Sequence, residues 1–175
     1  SFLFSSPIDD GIIDTFVEGI MQSNFIDIAS FKAKARFTIK NIEIIEKPKF
    51  SQTTHFVLLS PAAASTVNIE NGRKKLYYLR PSDEELGDVL RKNLINKYEL
   101  LHKKPYLGPV KISLSKDYLI KAKSERDLTT LVTIKEVTKE ETNVKAFVCP
   151  LVITGREEIM QTAYDCGIGI KNSVR

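Results

Sequence analysis

Residues 82–102 read SDEELGDVLRKNLINKYELLH and carry the clearest helical pattern in the chain. Ser82 followed by Glu85 is a capping box, which predicts that a long helix starts at this point and runs to about His102. The apolar side chains recur at helical spacing and form one stripe, which consists of Leu86, Val89, Leu90, Leu94, Tyr98 and Leu101.

Two polar side chains, Asn93 and Lys97, fall inside this stripe on a helical wheel. A buried lysine is costly unless it is paired or its ammonium reaches water. We therefore expect the stem of Lys97 to lie over apolar surface, with the ammonium in solvent or beside an acidic partner; a ligand contact is the alternative. Asn93 is expected to tie down the backbone of a neighbouring loop rather than to contact substrate.

Apolar runs lie on both sides of this helix, at residues 55–59, 110–114, 119–120, 128–137 and 144–153. The first stops at Ser60-Pro61 and predicts a buried strand that enters a loop. The last two alternate and are joined by a polar segment, which predicts a hairpin. Pro150 places the second arm of that hairpin at an edge or a bulge.

A second capping box, Thr154 with Glu157, predicts a short helix that delivers the chain to Gly167. From His55 onward the order is strand, helix, strands, helix, which is β-α-β-β-α-β without its final strand. Residues 1–48 give strand, helix, strand: Phe2–Phe4, then a helix that starts at Ser6-Pro7 and ends near residues 22–24, then an alternating strand over residues 31–39.

The predicted fold class is therefore α+β, with tandem ferredoxin-like (β-α-β-β-α-β, RRM-like) domains. Residues 1–48 form only the C-terminal half of the first domain. Residues 49–175 form the second domain, which lacks its final strand and ends in a glycine-rich loop.

The charge of the chain is unevenly distributed. Residues 1–48 hold five Lys and Arg against seven Asp and Glu, a net charge of −2, whereas residues 49–175 hold twenty-one against fifteen, a net charge of +6. A basic domain of this size suits a polyanion, and a merely solvated basic surface is the alternative.

Two segments are candidate nucleic-acid sites. In Gly167-Ile168-Gly169-Ile170-Lys171-Asn172-Ser173-Val174 the glycines Gly167 and Gly169 allow close backbone approach, while Lys171, Asn172 and Ser173 offer donors to phosphate or sugar oxygens. The alternative is that Gly167 only caps a helix. A basic cluster, Arg73-Lys74-Lys75, stands before two tyrosines. Such a cluster could bind phosphates and bases, and the alternative is an edge strand that its charges protect from pairing.

Other classes of site find little support. Cys149 and Cys166 are too few for a disulfide framework and lack metal-ligand spacing, so we expect no metal and no cofactor. No apolar run is long enough to span a bilayer and no signal sequence is recognisable, so we expect no membrane partner and a cytoplasmic location.

Several short strings occur in an order that resembles one known family, the CRISPR-associated repeat-RNA endoribonucleases, which are family six of the Cas proteins in the repeat-associated (RAMP) superfamily. The resemblance spans nearly the whole chain, and its most specific string is the glycine-rich one. The strings are Phe2-Leu3-Phe4-Ser5-Ser6, Leu59-Ser60-Pro61, Asn93-Leu94-Ile95 with Lys97-Tyr98-Glu99, and Gly167-x-Gly169-x-Lys171-Asn172-Ser173.

The resemblance implies a protein of two ferredoxin-like domains that binds CRISPR repeat RNA, partly through the glycine-rich loop, and cuts it without metal. The nucleophile would be the 2′-hydroxyl of the RNA, with His, Tyr and Lys as the usual acid, base and cation. The family's catalytic His would precede Ser1, and its loop continues into Gly-Phe-Gly and a closing strand. We therefore expect a fragment, and no residue of this chain is assigned a catalytic role.

His55 and His102 match no catalytic position of the family, so we expect both to be structural or solvated. Two alternatives stay open beside the endoribonuclease: a paralogue that holds repeat RNA without cutting it, and a structural or interaction subunit of a CRISPR ribonucleoprotein. Other CRISPR-associated proteins and a second copy of the chain are further candidate partners.

Overall fold

The computed structural model describes residues 6–7, 11–30, 32–135 and 138–170. The chain divides into two compact units, residues 1–48 and 49–175. Within the described ranges, no helix combines the length and the apolar character that crossing a membrane requires.

The first unit contains one helix and one hairpin: α1 (Ile12–Ser23), β1 (Phe25–Ala29) and β2 (Lys34–Thr38). The hairpin is antiparallel, and Arg36 donates to Asp27 through Nε and Nη2 at 2.7 and 2.8 Å. None of the described residues of this unit is buried.

Two predictions for the first unit need correction. The helix does not start at Ser6-Pro7, because its N-cap is Gly11. The φ of Gly11 is 76°, in the left-handed region that glycine adopts without steric cost. The alternating strand is only the second arm of a hairpin whose first arm, β1, was not predicted. The strand predicted at Phe2–Phe4 lies outside the described residues.

The second unit contains the remaining elements. In chain order they are β3 (Thr53–Phe56), β4 (Ser65–Glu70), β5 (Arg73–Tyr78), α2 (Leu86–His102), β6 (Val110–Leu114), α3 (Lys116–Lys121), a 3₁₀ turn (Glu125–Leu128), β7 (Thr129–Ile134), β8 (Thr142–Phe147), β9 (Leu151–Gly155) and α4 (Glu157–Cys166).

A three-stranded antiparallel sheet in the order β3-β9-β6 organises this unit. Helices α2 and α4 pack on it and on each other. The core between them is built from the predicted apolar stripe of α2 and from the inward side chains of β6, β9 and α4: Leu86, Leu90, Leu94, Tyr98, Ile112, Leu151, Ile153, Ile159, Met160 and Ala163. The helical stripe predicted from the sequence is thus confirmed as the core-facing side of α2.

The predicted hairpin is confirmed in its first part and wrong in its second. Strands β7 and β8 pair in antiparallel register, from Thr129 opposite Phe147 to Ile134 opposite Thr142. Pro150 then separates β8 from β9, and β9 becomes the central strand of the three-stranded sheet. Proline cannot donate a ladder hydrogen bond, which agrees with the position of Pro150 between the two strands rather than within either.

Three further predictions are overturned. Neither capping box forms: the N-caps of α2 and α4 are Glu85 and Arg156, without a side-chain cap. Before α2, Asp83 instead accepts the backbone N–H of Arg80 at 2.7 Å in a tight turn, and Thr154 belongs to β9. The run at 55–59 is not a buried strand throughout, because β3 ends at Phe56 and Leu59 is 86% exposed.

We predict that Gly87→Ala destabilises the protein although alanine normally favours a helix. A Cβ at Gly87 would lie 2.6 Å from the carbonyl oxygen of Ile112 in β6, so α2 would have to move off the sheet. The expected loss in the free energy of unfolding is about 1–3 kcal/mol, measured by urea denaturation. Gly19→Ala in α1, where a Cβ meets nothing within 4 Å, is the control and should not destabilise. Equal stability of the two variants would contradict this packing.

Candidate nucleic-acid interface

The segment Gly167–Ile170, which we call the glycine loop, follows the last turn of α4. Gly167 ends the helix with a φ of 66°, and Gly169 has a φ of 100°. Both values lie in the region that glycine enters without steric cost. The interpretation of Gly167 as a helix cap is therefore correct, and its role toward RNA stays a prediction.

Gly169 makes a close approach to the protein's own backbone. A Cβ there would lie 2.6 Å from the carbonyl oxygen of Ala63, and the same carbonyl accepts the N–H of Ile170 at 2.8 Å. The requirement for glycine at this position thus has a structural reason within the second unit. A bulky residue at Gly169 would disturb the loop before any RNA is bound.

Lys97 holds the other side of the glycine loop. Its Nζ donates to the carbonyl oxygens of Cys166 at 3.2 Å and Gly167 at 2.9 Å. These carbonyls lie at the C-terminus of α4, where they lack intrahelical partners. The sequence predicts solvent or an acidic partner for this ammonium, whereas the structure gives it backbone carbonyls.

The environment of Lys97 is partly desolvated. Burial lowers the pKa of its ammonium, and the nearby Cys166 opposes that shift. Burial likewise raises the pKa of the Cys166 thiol, against the effect of Lys97. Asn93 lies one turn before Lys97 on α2. Its Oδ1 is buried and has no hydrogen-bond partner among the described residues, so the contact predicted between Asn93 and a loop backbone is not found in that part of the chain.

The backbone of Ala62–Ala64, which we call the alanine segment, joins the glycine loop to two hairpins. Ala62 exchanges two hydrogen bonds with Phe147 in β8, at 2.9 and 2.7 Å. Ala64 accepts the N–H of Leu79, just after β5, at 2.8 Å. All three alanines are buried. One short segment therefore positions the β7-β8 hairpin, the β4-β5 hairpin and the glycine loop.

The predicted basic cluster lies on the β4-β5 hairpin, whose turn is formed by Asn71 and Gly72 with positive φ values of 51° and 72°. Because side chains alternate along a strand, Arg73 and Lys75 share one face with Tyr77, and Lys74 points to the opposite face. Lys75 pairs with Glu70 at 2.9 Å. The three basic residues are exposed and are divided between the two faces of the hairpin.

The opposite face of this hairpin is apolar. Lys74 shares it with Val67, Ile69 and Leu76, which are 56%, 73% and 49% exposed. At the base of the same hairpin, Tyr78 packs in a small cluster that also contains Ile170 of the glycine loop. The cluster consists of Ala63, Val144, Ala146, Tyr78, Val132, Ile134 and Ile170.

The structure therefore brings the glycine loop and the base of the basic hairpin together, although they are far apart in the sequence. The dipeptide Asn71-Gly72 is a strong hairpin signal and could have located this element. No local sequence pattern identifies the alanine segment, because its hydrogen-bond partners are distant in the sequence.

The other predicted site residues do not join this arrangement. Lys171, Asn172 and Ser173 lie outside the described residues. His55 is exposed on β3, and His102 is exposed at the end of α2 with its ring 4.3 Å from that of Tyr98. Cys149 and Cys166 are free thiols. In the part of the chain that the structure describes, no three His, Cys, Asp or Glu residues group as a metal site requires.

Comparison with solved structures places the fold in a known class of proteins. A Cas6-related protein from Pyrococcus furiosus matches with a TM-score of 0.68 and 22% identity, over 94% of this chain and 60% of that one. A RAMP protein described as binding different RNA substrates matches with a TM-score of 0.69 and 21% identity, over 97% of this chain and 62% of that one. The chain, with its small antiparallel sheets, thus has a mixed α+β fold similar to that of these two proteins.

Sequence comparison gives the family. The family model described as "CRISPR associated protein Cas6, C-terminal" matches residues 45–174, and the chain belongs to this family. The CRISPR-associated endoribonuclease Cas6 of Pyrococcus furiosus is 22% identical over 175 residues, which cover 99% of this chain and 57% of that protein. The chain thus spans less than two thirds of the length of these relatives. The resemblance found in the sequence is confirmed.

We predict that Gly169→Ala destabilises the second unit more than Gly72→Ala does. Both glycines have positive φ values, so alanine costs about 1–2 kcal/mol in strain at either position. Only at Gly169 does the new Cβ also meet the backbone of Ala63, which should add about 1–3 kcal/mol. The free energy of unfolding of the two variants measures the difference, and equal losses would show that the contact with Ala63 is dispensable.

Proposed function

We propose that this chain belongs to a CRISPR repeat-RNA endoribonuclease and that its second unit binds the repeat RNA. The observation that carries the proposal is the packing of the glycine loop and the basic hairpin around the alanine segment, within the region that matches the Cas6 family. The glycine loop would lie against the RNA backbone, and Arg73 and Lys75 would neutralise phosphates. Lys171, Asn172 and Ser173 would extend the same contact.

Cleavage in this proposal uses the RNA's own 2′-hydroxyl. That oxygen attacks the adjacent phosphorus and gives up its proton to a base, while the 5′-oxygen of the next nucleotide leaves and takes up a proton from an acid. The products are a cyclic phosphate and a free 5′-hydroxyl. No metal is required for this route, and no residue of the chain is assigned to either proton transfer.

The order of elements supports the domain organisation proposed from the sequence. Strands β3, β9 and β6 with helices α2 and α4 have the connectivity of a ferredoxin-like domain without its last strand. In the first unit, the absence of buried side chains among the described residues agrees with half of such a domain. We propose this tandem arrangement, together with association with a second copy or with other CRISPR-associated proteins, for the whole protein.

One observation favours the second candidate function, an interaction module. The face of the β4-β5 hairpin that carries Val67, Ile69 and Leu76 is apolar and exposed, which suits a protein partner better than phosphates. The two functions predict different effects of changing the two faces of the same hairpin.

We therefore expect Arg73→Ala, Lys74→Ala and Lys75→Ala, combined in the full-length protein, to weaken binding to an RNA of the organism's own CRISPR repeat sequence. Each lost phosphate contact should reduce the slope of log affinity against log salt by about 0.7 for a single strand. The loss of Arg73 and Lys75 therefore lowers the slope by up to about 1.4, and Lys74, on the opposite face of the hairpin, adds nothing to that loss. Fluorescence anisotropy at several salt concentrations gives both quantities.

The matched control is Lys116→Ala, Lys121→Ala and Lys123→Ala, which removes the same charge from exposed positions on and after α3. Equal losses in the two triple variants would mean that only the net charge matters. Wild-type protein that prefers the repeat no more than a scrambled RNA would favour the interaction module.

We also expect the full-length protein to cleave its repeat RNA in EDTA. His55→Ala and His102→Ala should leave the rate within about twofold of wild type, because both side chains are exposed and neither matches a catalytic position. Product gels with denaturing electrophoresis decide the matter. Binding without cleavage would identify a non-cleaving paralogue, and loss of cleavage in either variant would overturn our site assignment.

A further inference from the structure

We propose that Lys97 is a positioning residue for RNA binding: it fixes the glycine loop by donating to the last carbonyls of α4 and does not itself touch the RNA. This role rests on the proposed function of the loop and adds a residue that acts on it from another helix. Lys97 lies on α2, which packs on the sheet and on α4. From this position its Nζ reaches the carbonyls of Cys166 and Gly167.

The C-terminal end of α4 is stabilised from outside the helix. The last carbonyls of a helix lack intrahelical partners and carry the negative end of its dipole, so a cation nearby is stabilising. The last turn of α4 contains no basic residue of its own. Lys97 supplies that cation from α2, through two hydrogen bonds at 3.2 and 2.9 Å to Cys166 and Gly167.

These two hydrogen bonds add a restraint from α2 to a loop that Ala63 and the buried side chain of Ile168 already hold. Gly167 has no side chain that could fix its backbone at a φ of 66°, so the hydrogen bond from Lys97 to its carbonyl oxygen supplies a restraint there. On one side of the loop the N–H of Ile170 is held by Ala63, at 2.8 Å. On the other side the carbonyl of Gly167 is held by Lys97. The loop is thus anchored at both ends before RNA arrives.

The position of the Lys97 ammonium distinguishes this role from a direct contact with RNA. The ammonium is directed at carbonyl oxygens and is partly buried, which is a poor position for neutralising an external phosphate. A residue that only orients the loop changes the affinity by a constant factor. It leaves the number of released counterions, and therefore the salt slope, unchanged.

The test uses full-length protein with Lys97→Met, which keeps the volume of the stem but removes the donor. We expect faster hydrogen exchange in the peptide that contains residues 167–170 and an affinity for the CRISPR repeat RNA about tenfold lower at every salt concentration, the scale of a lost charge-assisted hydrogen bond. Lys97→Arg retains charge and donors and should restore most of both properties. Lys92→Met, on the exposed side of α2, is the control and should leave loop exchange unchanged.

Two outcomes would overturn the proposal. Wild-type loop exchange and affinity in Lys97→Met would show that the anchor is dispensable. A smaller salt slope with unchanged loop exchange would place Lys97 in direct contact with phosphate. Failure of the wild-type protein to bind repeat RNA would instead refute the proposed function, and the exchange measurement would still decide whether Lys97 holds the loop.

Discussion

The backbone hydrogen bonds of the alanine segment are the constraint on which the second unit depends. Ala62 pairs with β8, Ala63 accepts Ile170 of the glycine loop, and Ala64 accepts Leu79 at the base of the basic hairpin. Side chains larger than alanine would separate these partners, because the segment is buried and its neighbours approach closely. The candidate interface is therefore held together by backbone groups of a segment whose side chains are neither polar nor charged.

Lys97 and Gly169 complete the same arrangement from opposite sides. Lys97 supplies a cation to the C-terminal end of α4. Gly169 has no side chain, which allows the loop to lie against the backbone of Ala63. Both features can look like ligand contacts when only the sequence is read. In the structure each has a partner inside the protein, so their contribution to RNA binding in our proposal is to orient the loop.

The two units differ in how completely they bury their apolar residues. The second unit has a continuous core between its three-stranded sheet and the helices α2 and α4. In the first unit, the described residues include none that is buried, and apolar side chains such as Met21 and Phe37 are 65% and 53% exposed. A single helix and a two-stranded hairpin do not bury enough surface to be stable alone, which agrees with our proposal that this unit is part of a larger domain.

The sequence by itself determined the family, the apolar stripe of α2, the β7-β8 hairpin and the short helix before Gly167, because these depend on periodicity and on contiguous strings. Only the tertiary structure decided that β9 leaves its hairpin for the central position of another sheet, where α2 and α4 begin, and what Lys97 and Gly169 contact. Those outcomes depend on backbone groups far apart in the chain, such as Ala63 with Ile170 and Lys97 with Gly167. Local patterns encode which elements form, whereas pairing between distant backbone groups decides where they meet.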